Sequence, residues 1–220
     1  MTPSTTPKTP LLYVGGGILL ADAATEMREF AEQLSLPVAH TLMGKGALPD
    51  DHPLILGMTG FWGTKFINDK CKGADWILGL GTRFSEADCS SWENDYTFSF
   101  PPTKLIQIDI DPSEIGRNYP VAIGAVADLK QALKVLNRVA RKLAPKGVKR
   151  DKLLAEMDRN RKAFVAGNAK AMKSDAWPMR PERILATRTK LRSQTELPIT
   201  WSKPGPCDEA AILRAHTPEH

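Results

Sequence analysis

Residues able to do chemistry in this chain gather at glycine-rich junctions. Gly57-Met58-Thr59-Gly60-Phe61-Trp62-Gly63-Thr64 combines three glycines, two large aromatics and hydroxyls at an expected loop-to-helix junction. Glycine lets backbone approach a ligand closely, and ring faces cost little rotamer entropy to order, so the stretch suits something flat. A turn closed by a packed aromatic plug fits the same residues equally well. Four more segments share this character: Gly15 to Gly17, Thr41 to Gly46, Gly81 to Arg83, and Asp109 to Asp111. Together they offer backbone N–H groups, one strong cation and two carboxylates. Arg83 suits a phosphate or a ring face, and Asp109 suits ribose hydroxyls. The plainer readings are a surface ion pair for Arg83 and turn capping before Pro112 for Asp109 and Asp111.

Several chemistries are not expected. Gly15-Gly16-Gly17-Ile18-Leu19-Leu20 invites comparison with the dinucleotide fingerprint, but Leu20 fills the place of its third glycine. His40 and Thr41 stand where a ribose-binding acid belongs, so a standard nicotinamide site is not expected. His40 has no serine or cysteine near it in a recognisable nucleophile signature and reads as a structural strand histidine. Glu86 and Asp88 read as a solvated loop, and His216 and His220 lack a third ligand for a metal. Cys71, Cys89 and Cys207 are widely spaced and without a C-x-x-C pair, which points to reduced thiols in a cytosolic setting, with Cys71 as core filler.

The junctions need elements to carry them. Leu11 to Val14 reads as a buried strand, Asp22 as the cap of a helix whose stripe is Ala24, Met27, Phe30, Ala31 and Leu34, and Pro37 to Thr41 as a second strand. A helix over Thr64 to Lys72 precedes a strand over Asp75 to Gly81; further strands are expected at Lys104 to Asp109 and Val121 to Val126. Asp128 should cap an amphipathic helix carrying Leu129, Leu133, Leu136 and Ala140. Strand, helix, strand repetition predicts an α/β, Rossmann-like parallel sheet with helices on both faces and ligands at the carboxyl ends of the strands. Extra helices should follow over Asp151 to Lys173 and from Pro181 to about Ser193. The expected organisation is a flexible segment 1–10, a cofactor-binding-type α/β domain 11–145, a linker helix and incomplete further domain 146–195, and a poorly ordered tail 196–220.

Net charge is +5, divided unevenly: residues 1–127 hold 9 Lys+Arg against 15 Asp+Glu, net −6, and residues 128–220 hold 21 against 10, net +11. Without interleaved aromatics the basic half reads as solvated helix faces, and no nucleic acid is expected. Nothing approaches the ~20 apolar residues of a membrane span, and the start lacks a signal-peptide run, so the expectation is a soluble, cytoplasmic protein.

Taken in order, Gly15-Gly16-Gly17, Thr41 to Gly46, His52-Pro53, Gly57 to Gly63, Gly81-Thr82-Arg83-Phe84 and Ile108 to Gly116 resemble the central domain of acetolactate synthase-like thiamine diphosphate enzymes. The resemblance implies a six-stranded parallel sheet lying between pyrimidine- and diphosphate-binding domains. It implies thiamine diphosphate and Mg2+ for full-length relatives, activated and held by those neighbouring domains, and homo-oligomers of those relatives. It implies a carboligase or acyltransferase, of which this chain is a truncated member, inactive by itself because the pyrimidine- and diphosphate-binding domains are missing; the family's pattern fades after Leu197. By position the ligand shell would be Gly16, Gly17, Thr41, Leu42, Gly60, Phe61, Gly81, Thr82, Arg83, Asp109, Ile110 and Asp128, around FAD or an ADP-type nucleotide. Trp62 stands where the synthase branch has histidine, and Ser85 and Ala87 where it has aspartate and a second arginine. FAD, an adenine nucleotide and no ligand therefore stay open, beside a stand-alone FAD/ADP-binding module or a non-functional remnant.

Overall fold

A computed structural model describes residues 7–194, with side chains through residue 187. The expected tail 196–220, with Cys207, His216 and His220, and most of the segment 1–10 lie outside the described residues. Six parallel strands form one sheet: β1 (Pro10–Val14), β2 (Val38–His40), β3 (Ile55–Met58), β4 (Trp76–Leu80), β5 (Lys104–Asp109) and β6 (Ile123–Val126), in the order β3-β2-β1-β4-β5-β6. Five strands were legible from local pattern. The sixth, β3 (Ile55–Met58), runs into the glycine loop, is too short to show a period, and completes the strand number implied by the resemblance.

Alternation along β1 builds two cores. Leu12 and Val14 face Met27, Phe30 and Ala31 of α2 (Ala24–Leu34) and Leu129, Leu133 and Ala140 of α4 (Leu129–Leu143). Leu11 and Tyr13 face the other way, onto Ile67 and Cys71 of α3 (Lys65–Lys72) and an aromatic group from the β4–β5 connection. Period-2 side-chain direction in a strand buried on both faces makes every residue of Leu11 to Val14 a core residue. Within the aromatic group, Phe84 and Phe98 each lie 5.1 Å from the Tyr13 ring, and Phe100 lies 4.8 Å from Tyr119. Phe84 is 2% exposed and anchors the loop that carries Arg83.

A short helix α1 (Gly17–Leu20) precedes α2, and the expected cap at Asp22 is not formed. Ala23 occupies the N-cap position, while Asp22 has φ 49° and pairs with Lys130 at 2.6 Å. The extra helix α1 shifts the chain by enough that Asp22 sits in the turn between helices. Asp128 does cap α4, accepting from the Gln131 N–H at 2.9 Å.

α5 (Asp151–Met172) and α6 (Pro181–Gln194) follow. α5 contributes only Met157 to the buried set. It is held by a Lys70–Glu156 ion pair of 2.7 Å and by Arg161, which donates to the His52 carbonyl at 2.9 Å.

Candidate functional site

From β1 the chain steps outward to β2 and β3, then returns across the sheet to β4, so the loops after β1 and β4 diverge in opposite directions. Such a switch point leaves a crevice at the carboxyl ends of the strands. Its floor is backbone on backbone. Gly15 N–H donates to the Leu80 carbonyl at 3.0 Å and Gly17 N–H to the Gly81 carbonyl at 3.1 Å. A Cβ on Gly15 would lie 2.1 Å from the Gly81 oxygen, and one on Gly44 2.3 Å from the Val14 oxygen. These glycines therefore admit loop against loop, where the sequence reading had them admit a ligand.

The same contacts bring together the segments that follow β1, β2 and β4. Met43 Cβ lies where a Gly16 Cβ would approach within 3.1 Å, and Leu129, at the start of α4, lies against Gly81. Asp109 accepts the Ala127 N–H on its carbonyl at 2.9 Å, joining the ends of β5 and β6. Thr41 Oγ1 accepts the Gly44 N–H at 3.0 Å, which folds the loop after β2 back on itself.

Gly57 to Thr64 resolves into the end of β3, a 3-10 turn over Gly60–Trp62, and the cap of α3, where Thr64 accepts from the Ile67 N–H. Asn68 clamps the turn from α3, accepting the Gly60 N–H and donating to the Gly60 carbonyl, each at 3.1 Å. Trp62 packs edge-on to Phe61 at 6.5 Å between centroids, and Phe61 is 58% exposed. The turn is thus packed at its base, with Phe61 exposed.

Asp88, expected in a solvated loop, is buried and ties three loops together. Its carboxylate accepts the Leu42 N–H at 3.1 Å and the Ser85 hydroxyl, and its carbonyl accepts from Thr59 Oγ1 at 2.9 Å. Thr59 Oγ1 also lies 3.0 Å from the Tyr13 hydroxyl, whose pKa is pushed up first by burial and then by Cys89 and Asp88 nearby. Sequence pattern gave Asp88 only a solvated loop and Asn68 only a place in the helix over Thr64 to Lys72, because the groups they bind lie in other loops.

The charged candidates divide. Arg83 is exposed, and no carboxylate pairs with it among the described residues. Asp111 accepts from the Ser113 N–H at 2.8 Å and from its hydroxyl at 2.7 Å, and these bonds hold its carboxyl below the usual range. Asp109 accepts the Asp111 N–H at 3.0 Å. Both aspartates cap the turn before Pro112, as the plainer reading had it, and Asp128 caps α4. Thr82 is buried, its hydroxyl accepting from the Phe84 N–H at 3.3 Å. Ile110 is 70% and Met43 68% exposed, so with Phe61 the strand-end loops carry exposed apolar side chains.

His40 is buried, and desolvation brings its pKa down to about 4 despite a 2.8 Å contact of Nδ1 with the Thr41 carbonyl. It is therefore neutral at pH 7. Burial raises both thiols, Cys71 and Cys89, far from reactivity. No group of three or more His, Cys, Asp or Glu suited to a metal occurs among the described residues. No helix among them is long and apolar enough to cross a membrane.

Sheet order and helices on both faces define a doubly wound, parallel α/β domain. Residues 5–136 match the family model described as thiamine pyrophosphate enzyme, central domain, and the chain belongs to that family. It is 42% identical over 127 residues to a probable acetolactate synthase large subunit of Methanocaldococcus jannaschii, covering 58% of this chain and 21% of that protein. A Methanococcus aeolicus protein of the same name is 34% identical over 185 residues, 81% of this chain and 30% of the relative. A glyoxylate carboligase of Escherichia coli O157:H7 is 34% identical over 184 residues, 82% and 30% of the two chains. The chain thus spans between a fifth and a third of the length of these curated relatives.

Proposed function

We propose that these 220 residues act as the central domain of an acetolactate synthase-like, thiamine diphosphate-dependent carboligase, and that the crevice is its small-molecule site. The observation that carries the reading is coincidence: the family match over residues 5–136 covers the whole sheet and every loop that closes on the crevice. Thiamine chemistry is assigned by resemblance to neighbouring domains of full-length relatives. No step of it is placed on this domain's residues.

The residues present fit an adenine-type nucleotide better than a ligand needing a nest of backbone donors. Gly15, Gly17, Leu42, Gly60 and Gly81 spend their N–H groups on protein acceptors. What stays free is the Arg83 guanidinium for a phosphate and the exposed faces of Phe61, Met43 and Ile110 for a flat ring. Gly16, Gly17, Thr41, Gly81 and Thr82 would shape the floor, with Leu42 and Phe61 at its sides. Asp109, Ile110 and Asp128 would close the far end. An ADP-type ligand needs no more than this; FAD would also have to find partners where Ser85 and Ala87 replace charged residues of the synthase branch.

Two measurements test the reading. Calorimetry with ADP and with FAD should give saturable heat that is lost in Arg83→Ala; absence of heat with both removes the ligand proposal. Assay of the chain with pyruvate, thiamine diphosphate and magnesium should give no acetolactate above a protein-free blank. Formation of acetolactate would show that the segment does more than a central domain.

A further inference from the structure

A cleft of about 590 Å³ opens at the edge of the sheet opposite the crevice, where Pro10 begins β1 and Pro37 precedes β2. Its walls are the end of α3 and the first turn of α5, and Leu11, Leu56 and Leu153 give it apolar lining. The volume is in the range of small-molecule sites, and the mixture of apolar lining with a few convergent charges is their usual composition.

The charges of this cleft do not cancel. Glu156 is occupied by Lys70 at 2.7 Å, and Asp69 by Lys65 and by Lys72 at 3.6 Å. That leaves Lys8, Lys149, Arg150 and Lys152 facing one remaining acid, Asp151. No carboxylate pairs with any of the four cations among the described residues. Arg150 donates through one terminal nitrogen to the Lys8 carbonyl at 3.1 Å, which ties the start of α5 to the segment before β1. Its Nε is buried without a hydrogen-bond partner, an uncommon state for a guanidinium donor.

We propose that this cleft binds a phosphate-bearing small molecule, with the phosphate on Arg150, Lys149 and Lys152 and an apolar or planar body against Leu11, Leu56 and Leu153. Four like charges lining a concave surface repel one another, and an anion relieves that repulsion while accepting from the Lys149 and Lys152 ammonium groups. The site is independent of the crevice and needs none of the residues assigned there.

Calorimetry on the full chain at low ionic strength tests it, with inorganic pyrophosphate as a probe for the charge and ADP as a probe for charge plus body. Both are titrated into Arg83→Ala, so that the crevice does not contribute. Saturable binding of pyrophosphate is expected, tighter for ADP, and weakened at least about tenfold in Arg83→Ala carrying Lys149→Ala and Lys152→Ala. Rising salt should weaken it in step, because the contacts are partly exposed charges. Both lysines are exposed, so circular dichroism should be unchanged and a loss of binding is not a loss of fold. No heat with either probe, or equal affinity with and without the two lysines, overturns the proposal.

Discussion

Replacing Asp88 by alanine should loosen the loop after β2 from the loop after β4 that carries Asp88, while the bond from Thr59 to the Asp88 main-chain carbonyl is kept. The carboxylate accepts from the Leu42 N–H at 3.1 Å and from the Ser85 hydroxyl in a buried position. Ser85 can turn its hydroxyl to water, so its loss counts for little. The Leu42 N–H is left without an acceptor, which costs about 1–3 kcal/mol, and the lost bond was made to a charged acceptor, at the strong end of that range. A total of about 2–3 kcal/mol follows, or a fall in melting temperature of roughly 4–12 °C for a domain of this size. Asp88→Asn keeps one acceptor oxygen and should lie between. Thermal unfolding gives the first readout, and amide exchange at Leu42 gives the second, because the effect must be local to that N–H. A melting temperature within 1 °C of the parent, or unchanged exchange at Leu42, would refute the tie and return Asp88 to the solvated loop read from sequence.

Other outcomes follow from single geometries. Gly46 and Gly60 both have positive φ, 93° and 81°, but a Cβ on Gly46 meets nothing within 4 Å while one on Gly60 lies 2.0 Å from the Ala87 oxygen. Gly46→Ala should cost only the backbone term of about 1–2 kcal/mol, and Gly60→Ala distinctly more; equal denaturation midpoints would contradict that packing of the two turns. His40 titrates near 4 when folded, below its unfolded value, so the unfolded chain binds the extra proton as pH falls. Its contribution is therefore complete above about pH 6.5 and declines on acidification toward pH 4, by on the order of 3 kcal/mol. His40→Gln should flatten the stability profile across that window, and an unchanged slope would remove the histidine as its source.

Much of the fold was legible because both periods are local properties. Leu11 to Val14 announces a strand buried on both faces, and Leu129, Leu133 and Ala140 announce the helix that covers one of them. The order of the glycine motifs and of the turn before Pro112 identified the family. β3 was lost to its length, and Asp22 was misplaced because the cap of a helix depends on where the preceding turn of α1 ends.

What residue order along the chain could determine was which segments lie at the carboxyl edge; what each group does there waited on its partners in space. Asp109 and Asp111 were read as turn caps or ligand contacts and Asp128 as a helix cap, and the N–H donors that make each a cap are located only in the folded chain. Arg83 was equally an ion pair or a free cation until the carboxylates around it were known. Asp88 acquires its role from Leu42, 46 residues away, and Arg150 from Lys8, 142 residues away. Periodicity acts through neighbours in sequence, whereas hydrogen bonding and charge pairing depend on distances of a few ångströms that only the folded chain sets.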